Sequence, residues 1–150
     1  MKILFVCSGN TCRSPMAEAI ARSVFADREG FSFGSRGVMA YGDSISQNAS
    51  QTLRNMGIEF EESRVAKQLT YNDLKGYDLI LTMAQGHKRA IADFLATEKE
   101  INNKVHTLYE YTFNEDKEIF DPYLMNLEYY MKCAGEIKQC IEKLYEVIDK

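Results

Sequence analysis

Four consecutive apolar side chains, Ile3-Leu4-Phe5-Val6, follow the first lysine of the chain. They do not alternate with polar ones, so residues 2–6 predict a strand covered on both faces. At the other end the rhythm changes. Leu127, Tyr130, Met131, Ala134, Ile137, Ile141, Leu144, Tyr145 and Ile148 recur at helical spacing, which predicts a long amphipathic helix over 127–148. Between them the two kinds of pattern take turns. Residues 31–35, 77–83 and 104–109 predict further strands. Residues 16–26, 48–56 and 86–95 predict helices. Ser14 reads as the N-cap of the first, with Pro15 in its first turn, and Gly57 as the stop of the second. The alternation predicts one α/β domain over 1–150, with a four-stranded parallel sheet flanked by helices on both faces. Ligands of such sheets bind beyond the carboxyl ends of the strands, where the strand order reverses. The segment after the first strand lies at such an end.

Composition narrows the class. A chain of 150 residues, 45% hydrophobic and 27% charged, suits one globular core. A net charge of −4 without a dense basic run argues against nucleic acid as a partner. No apolar stretch reaches bilayer length, and the start is too short for a signal peptide, so no membrane partner is expected. Cys7, Cys12, Cys133 and Cys140 are then expected to be cytoplasmic thiols rather than a disulfide framework.

The loop after the first strand reads Val6-Cys7-Ser8-Gly9-Asn10-Thr11-Cys12-Arg13-Ser14-Pro15. A turn that leads into a helix aims backbone N–H groups and the positive end of the helix dipole at one point. Gly9 is expected to supply a backbone conformation that other residues resist. Arg13 offers a planar fork of donors that matches two phosphate oxygens. Amides, dipole and guanidinium together favour a thiolate at Cys7, a nucleophile aimed at phosphorus. Ser14 can donate a hydrogen bond to that thiolate. The glycine spacing is wrong for a dinucleotide fingerprint, and the Gly-Lys-Ser/Thr of a Walker loop is missing. Cys7 and Cys12 have no second pair with which to hold zinc, so no metal and no cofactor are expected. His87 and His106 read as surface or packing residues, and Cys133 and Cys140 as core cysteines.

With these residues the chain resembles the low-molecular-weight protein tyrosine phosphatases. The likeness rests on Cys7-Ser8-Gly9-Asn10-Thr11-Cys12-Arg13-Ser14-Pro15-Met16-Ala17-Glu18-Ala19 and on Asp121-Pro122-Tyr123. It extends to Ser35-Arg36-Gly37-Val38, to Leu79-Ile80-Leu81-Thr82-Met83 and to the last helix. The resemblance implies that Cys7 attacks phosphorus and forms a phosphocysteine. It implies that Arg13 and the loop from Ser8 to Ser14 hold the phosphate oxygens, and that Asp121 protonates the leaving group and then activates water. Pro122 restricts Asp121 to extended backbone, and Phe120 and Tyr123 are expected to shield its carboxyl from water. Asn10, Ser14 and Ser35 match residues that brace the loop. Phosphorylated proteins are the implied substrates, inorganic phosphate the product and inhibitor, and a monomer is expected. Cys12 lies five residues from Cys7, so it is the expected partner of Cys7 in a reversible disulfide after oxidation.

Two positions depart from the family. Leu124 stands where a glycine commonly follows the Asp-Pro-aromatic triplet, and Arg64 falls where many relatives carry a bracing histidine. Thr11 bears on the substrate. Phosphotyrosine-directed relatives usually carry isoleucine there, whereas the branch that resembles protein arginine phosphatases carries threonine. The reading therefore leans to phosphoarginine, with phosphotyrosine close behind. Tyr41 and Tyr123 are expected at the pocket wall, where either ring can stack on phenyl or on guanidinium. Two other functions stay open at this point. One is a thioredoxin-coupled arsenate reductase, the other a phosphocysteine carrier or phosphopeptide-binding module that would not need Asp121.

Overall fold

Four parallel strands form one sheet in the order β2-β1-β3-β4. The structure, a computed structural model, describes residues 1–95 and 98–149. In chain order the elements are β1 (Lys2–Cys7), α1 (Arg13–Val24), β2 (Ser32–Gly37), α2 (Gln47–Asn55), α3 (Tyr71–Gly76) and β3 (Leu79–Thr82). Then come α4 (Gln85–Ala90), which runs on as a wider π turn over Ile91–Leu95, α5 (Lys99–Asn102), β4 (Val105–Thr107), α6 (Leu108–Phe113) and α7 (Leu127–Val147).

The apolar run at the start of the chain explains the position of β1. Its alternate side chains face opposite sides of the sheet. Ile3 and Phe5 enter the core built with α1, α2 and α7, where Met16, Ile20, Leu53, Ile137 and Ile141 are buried. Leu4 and Val6 enter a second core with Leu69, Leu74, Ile80 and Ile91. A strand with apolar groups on both faces is stable only in the middle of a covered sheet, and β1 lies between β2 and β3. The chain moves to one side of β1 to make β2 and to the other side to make β3. The end of β1 is therefore the switch point, and Cys7 is its last residue.

The element boundaries differ from the periodicity in ways that local chemistry explains. The strand expected over 104–109 stops at Thr107. The Thr107 hydroxyl accepts from the Glu110 N–H (3.1 Å) and the Glu110 carboxylate accepts from the Thr107 N–H (3.0 Å), so a capping box turns Leu108 and Tyr109 into the start of α6. Thr70 and Asp73 form a second box that starts α3, a helix the hydrophobic pattern did not predict. The N-cap of α1 is Cys12 rather than Ser14, which lies inside the helix with its hydroxyl turned to the loop. Gly57 adopts a φ of +69° and ends α2 as expected.

Candidate active site

The loop between β1 and α1 turns its carbonyls outward. The carbonyls of Cys7, Ser8 and Thr11 accept from the N–H groups of Val38 (3.0 Å), Met39 (2.9 Å) and Ser46 (2.9 Å). The Asn10 carbonyl accepts from Arg64 Nη1 at 2.9 Å. With the oxygens held outside, the amides face the other way. Among the described residues no protein acceptor is paired with the N–H groups of residues 8–12. An anion at the centre of the loop meets these donors and the N-terminus of the twelve-residue α1.

Asn10 sets this geometry. It is fully buried, and its φ of 58° lies in the left-handed region, which asparagine tolerates better than most residues. Gly9, expected to supply the unusual conformation, has no positive φ. The reversal falls one residue later because the Asn10 side chain can fix it. Its Nδ2 donates to Ser14 Oγ at 2.7 Å. Its Oδ1 accepts from the Lys67 N–H at 3.0 Å and from Arg64 Nη2. Arg64 thus enters the bracing network. Ser14 Oγ in turn lies 2.9 Å from Cys7 Sγ. Since Asn10 donates to the Ser14 oxygen, the hydroxyl proton of Ser14 is left for the Cys7 sulfur or for the Arg36 carbonyl, 3.4 Å away. Ser35 makes no such bond to the loop. Its hydroxyl donates to Glu18 Oε1 at 2.6 Å, and Glu18 also pairs with Arg22 at 2.7 Å, so Ser35 ties β2 to α1 instead. Gly37, beside it, is needed for space: a Cβ there would lie 2.5 Å from the Ser8 carbonyl oxygen and 3.0 Å from the Asn10 nitrogen.

Asp121 reaches the loop from a segment docked at two places. The Ile119 N–H donates to the Met83 carbonyl at the end of β3 (2.9 Å), and the Phe120 N–H donates to Glu136 of α7 (3.0 Å). Arg13 Nη1 donates to the Ile119 carbonyl at 3.2 Å, and its Nη2 lies 3.4 Å from Asp121 Oδ2. The Tyr123 N–H holds the other carboxylate oxygen at 3.1 Å. The Asp121 side chain remains 53% exposed, so the aromatic shielding expected of Phe120 and Tyr123 is absent. The Phe120 ring turns instead to Tyr129, centroids 5.8 Å apart.

A cavity of about 290 Å³ opens above the loop. Cys7, Thr11, Cys12 and Arg13 line it from the loop, and Asp121 and Tyr123 from the acid segment. Met39, Tyr41 and Asp43 line it from the chain that follows β2. Cys12 Sγ is held 3.2 Å from the Tyr130 hydroxyl, which burial and the Cys12 contact push up to about 12, so that it stays protonated. Cys133 and Cys140 are buried thiols of α7 outside this cavity, and burial raises both above the ordinary thiol range.

Two residues at the site gave no sequence signal. Asp43 brings a carboxylate to the cavity for which no ion pair or side-chain hydrogen bond is formed among the described residues. His87 is not at the surface. It is 6% exposed, and its Nε2 lies 2.9 Å from Ser8 Oγ, while Nδ1 is buried without a partner among the described residues. Burial, reinforced by the charge of Arg13, pushes its pKa down to about 4, against the pull of Asp121 and Glu118. It therefore supports Ser8 as a neutral ring.

A thiol inside an amide cradle, next to an arginine and a carboxyl group, at the switch point of a parallel sheet, defines a cysteine-dependent phosphatase. Residues 2–150 match the family model of the low molecular weight phosphotyrosine protein phosphatases, and the chain belongs to that family. It is 39% identical over 150 residues to the low molecular weight protein-tyrosine-phosphatase PtpB of Staphylococcus aureus, covering 99% of both chains. It is 33% identical over 154 residues to the protein-arginine-phosphatase of Bacillus subtilis, covering 100% of this chain and 98% of that one. The solved low molecular weight protein tyrosine phosphatase of T. tengcongensis superposes with a TM-score of 0.91 at 40% identity, over 99% of each chain. These findings set aside the reductase and carrier readings. Among the described residues no helix is long and apolar enough to cross a membrane.

The neutral state of His87 has a consequence for acid stability. Its folded-state pKa of about 4 lies below the ordinary 6.5, so the unfolded chain binds this proton more tightly. The stability it confers is complete above pH 6.5 and is lost as the pH falls towards 4, an amount of about 3 kcal/mol. Urea unfolding at pH 7 and pH 4 should show His87→Gln losing about that much less than the wild type. An equal loss in both proteins would mean that the ring is not held neutral by the fold.

Proposed function

We propose that Cys7, Arg13 and Asp121 hydrolyse phosphoarginine side chains of proteins, in preference to phosphotyrosine. The observation that carries the preference is a second carboxylate, Asp43, on the wall of the pocket that also holds the acid Asp121. A carboxylate beside a phosphate opposes its entry. A phosphoarginine brings a guanidinium that offsets this repulsion, and the phenyl ring of phosphotyrosine brings nothing of the kind. Thr11 supports the same choice. Its hydroxyl can meet a polar guanidinium where isoleucine would offer only methyl groups. One relative named as a protein-arginine-phosphatase aligns over the whole chain, although another of higher identity is named as a tyrosine phosphatase.

The reaction takes two displacements. Cys7 Sγ attacks phosphorus in line with the leaving nitrogen, so that the S–P bond forms as the N–P bond breaks. Asp121 gives its proton to that nitrogen, and arginine leaves. The N–H groups of Ser8, Gly9, Asn10, Thr11 and Cys12 and the guanidinium of Arg13 hold the three equatorial oxygens. Asp121, now ionised, takes a proton from water as the water oxygen attacks phosphorus. The S–P bond breaks, inorganic phosphate forms, and Ser14 donates to the departing thiolate. Peroxide would oxidise the Cys7 thiolate to a sulfenic acid. Attack by the Cys12 thiol would then release water and leave a disulfide that thiols reduce.

Five variants test this reading. Cys7→Ser should abolish turnover of para-nitrophenyl phosphate while vanadate binding persists, and Asp121→Asn should cost roughly two to four orders of magnitude in rate on phosphopeptides, and less on para-nitrophenyl phosphate with its good leaving group. Full activity of Cys7→Ser would rule out the covalent route. Thr11→Ile should move the ratio of kcat/KM towards phosphotyrosine by at least about tenfold. Asp43→Asn should lower kcat/KM for phosphoarginine by about twofold to fivefold, the range of an exposed ion pair, without lowering it for phosphotyrosine. A wild type that ignores phosphoarginine peptides would end the substrate assignment. After peroxide and then dithiothreitol, wild type should recover and Cys12→Ser should not; equal recovery would remove the protective role of Cys12.

A further inference from the structure

Leu124 carries two unfavourable features at one position. Its φ of 64° lies in the left-handed region, which residues with a bulky side chain rarely adopt. Its side chain is 86% exposed, the most of any large apolar residue among those described. The backbone conformation has a local cause. The Met125 N–H donates to the Pro122 carbonyl at 2.9 Å and closes a turn in which Leu124 is the third residue. A turn with positive φ at that position favours glycine. The leucine therefore satisfies neither the turn nor the core. A residue held in this way against both local preferences directs attention to function.

Its surroundings say what kind of function. Tyr123, the preceding residue, lines the catalytic cavity, and Leu124 lies one residue outside that wall. Tyr123 is 62% exposed and Met125 42%, and across the cavity Met39 is 62% and Tyr41 78% exposed. The mouth is thus rimmed by exposed apolar side chains, and Leu124 extends the rim outward on the acid side.

We infer that Leu124 is a contact for the substrate polypeptide, and that it takes an apolar side chain next to the phosphorylated residue. This rests on the reading that Cys7 accepts a phosphoryl group from a protein side chain. A phosphorylated side chain with its phosphorus at Cys7 leads its own backbone out past the rim. The neighbouring residues of the substrate then lie over the turn at 123–125. The five exposed side chains of the rim are too few to hold a second copy of this chain, since a stable interface takes about 20–30 residues a side. They suffice for a short segment already anchored by its phosphate. The established chemistry needs no side chain at this position, which makes Leu124 a determinant of selection among substrates.

The test compares wild type, Leu124→Asn and Leu124→Met. Asparagine tolerates the left-handed backbone and removes the apolar group, and methionine retains it. Each protein is assayed on para-nitrophenyl phosphate and on matched peptides with leucine or aspartate beside the phosphorylated residue. The peptides are made with phosphoarginine and with phosphotyrosine. Wild type and Leu124→Met should prefer the leucine-flanked peptides by at least about fivefold in kcat/KM. Leu124→Asn should reduce the preference to within about twofold, with para-nitrophenyl phosphate turnover unchanged. Equal rates on both flanks in wild type, or a preference that survives in Leu124→Asn, would overturn the inference. So would turnover of para-nitrophenyl phosphate with no peptide hydrolysed. Inertness on every substrate would instead sink the reading of Cys7. Sedimentation of wild type and Leu124→Asn adds the last arm: a dimer that the substitution dissolves would assign the turn to self-association and overturn the inference.

Discussion

The site depends on the hydrogen bonds of one asparagine. Asn10 donates to Ser14 and accepts from Lys67 and Arg64, and the left-handed turn of its backbone reverses the loop. Without that reversal the carbonyls of residues 7–11 would compete with the amides for the centre of the loop. Buried backbone groups need partners, and four of these five carbonyls have donors, from Val38, Met39, Ser46 and Arg64. The anion site is thus the inner side of a bonded outer one. The same side chain that fixes the loop also holds Ser14, whose hydroxyl lies between the Cys7 sulfur and the Arg36 carbonyl.

The fold brings four distant pieces to this loop. β1 places Cys7 at the switch point, and the end of β2 passes close enough that only glycine fits at 37. The segment after α2 sends Arg64 and Lys67 behind the loop, and α7 presents the acid. Each contact spans tens of residues in sequence, so the site forms only when the sheet and the helices have packed. The arrangement explains why two cores are needed. One holds β1 to α1 and α7, and so sets the cradle against the acid. The same core holds Met83 to Ile119, and the other covers the opposite face of β1 and β3.

Much of this was legible in the residues. The apolar run of β1, the helical rhythm of α7 and the loop from Cys7 to Pro15 each carry their signal within a few positions. The misreadings have a common cause. At Thr107 the apolar pattern continued, but a capping box between Thr107 and Glu110 changed strand to helix, and hydrophobic spacing does not register such a cap. At Gly9 the composition pointed to the right turn, but the hydrogen bonds that select the left-handed residue come from positions 64 and 67. Ser35 was placed beside the loop by the family motif, yet its nearest acceptor was Glu18 on α1. His87 and Asp43 could not be found from spacing at all, because what defines them is burial in one case and a shared cavity wall in the other. The aromatic neighbours of Asp121 point to a partly desolvated carboxyl, yet its side chain is half exposed. One of those rings pairs with Tyr129 and turns away, a choice made by α7 and not by the segment itself.

The attachment of the acid segment to α7 has a mechanical side. Phe120 is held by that helix at both its amide and its carbonyl, through Glu136 and Cys133, and Asn126 caps the same helix at its start. Residues 121–125 therefore form an arch with both feet on one rigid rod. Such an arch can flex at its crown but cannot swing open as a flap, because neither foot is a hinge. Tyr41 from the chain after β2 and Tyr123 from the arch both line the pocket that an incoming side chain must enter. The crown of the arch is the turn that bears Leu124, so the part farthest from the rod is also the part most exposed to an incoming chain.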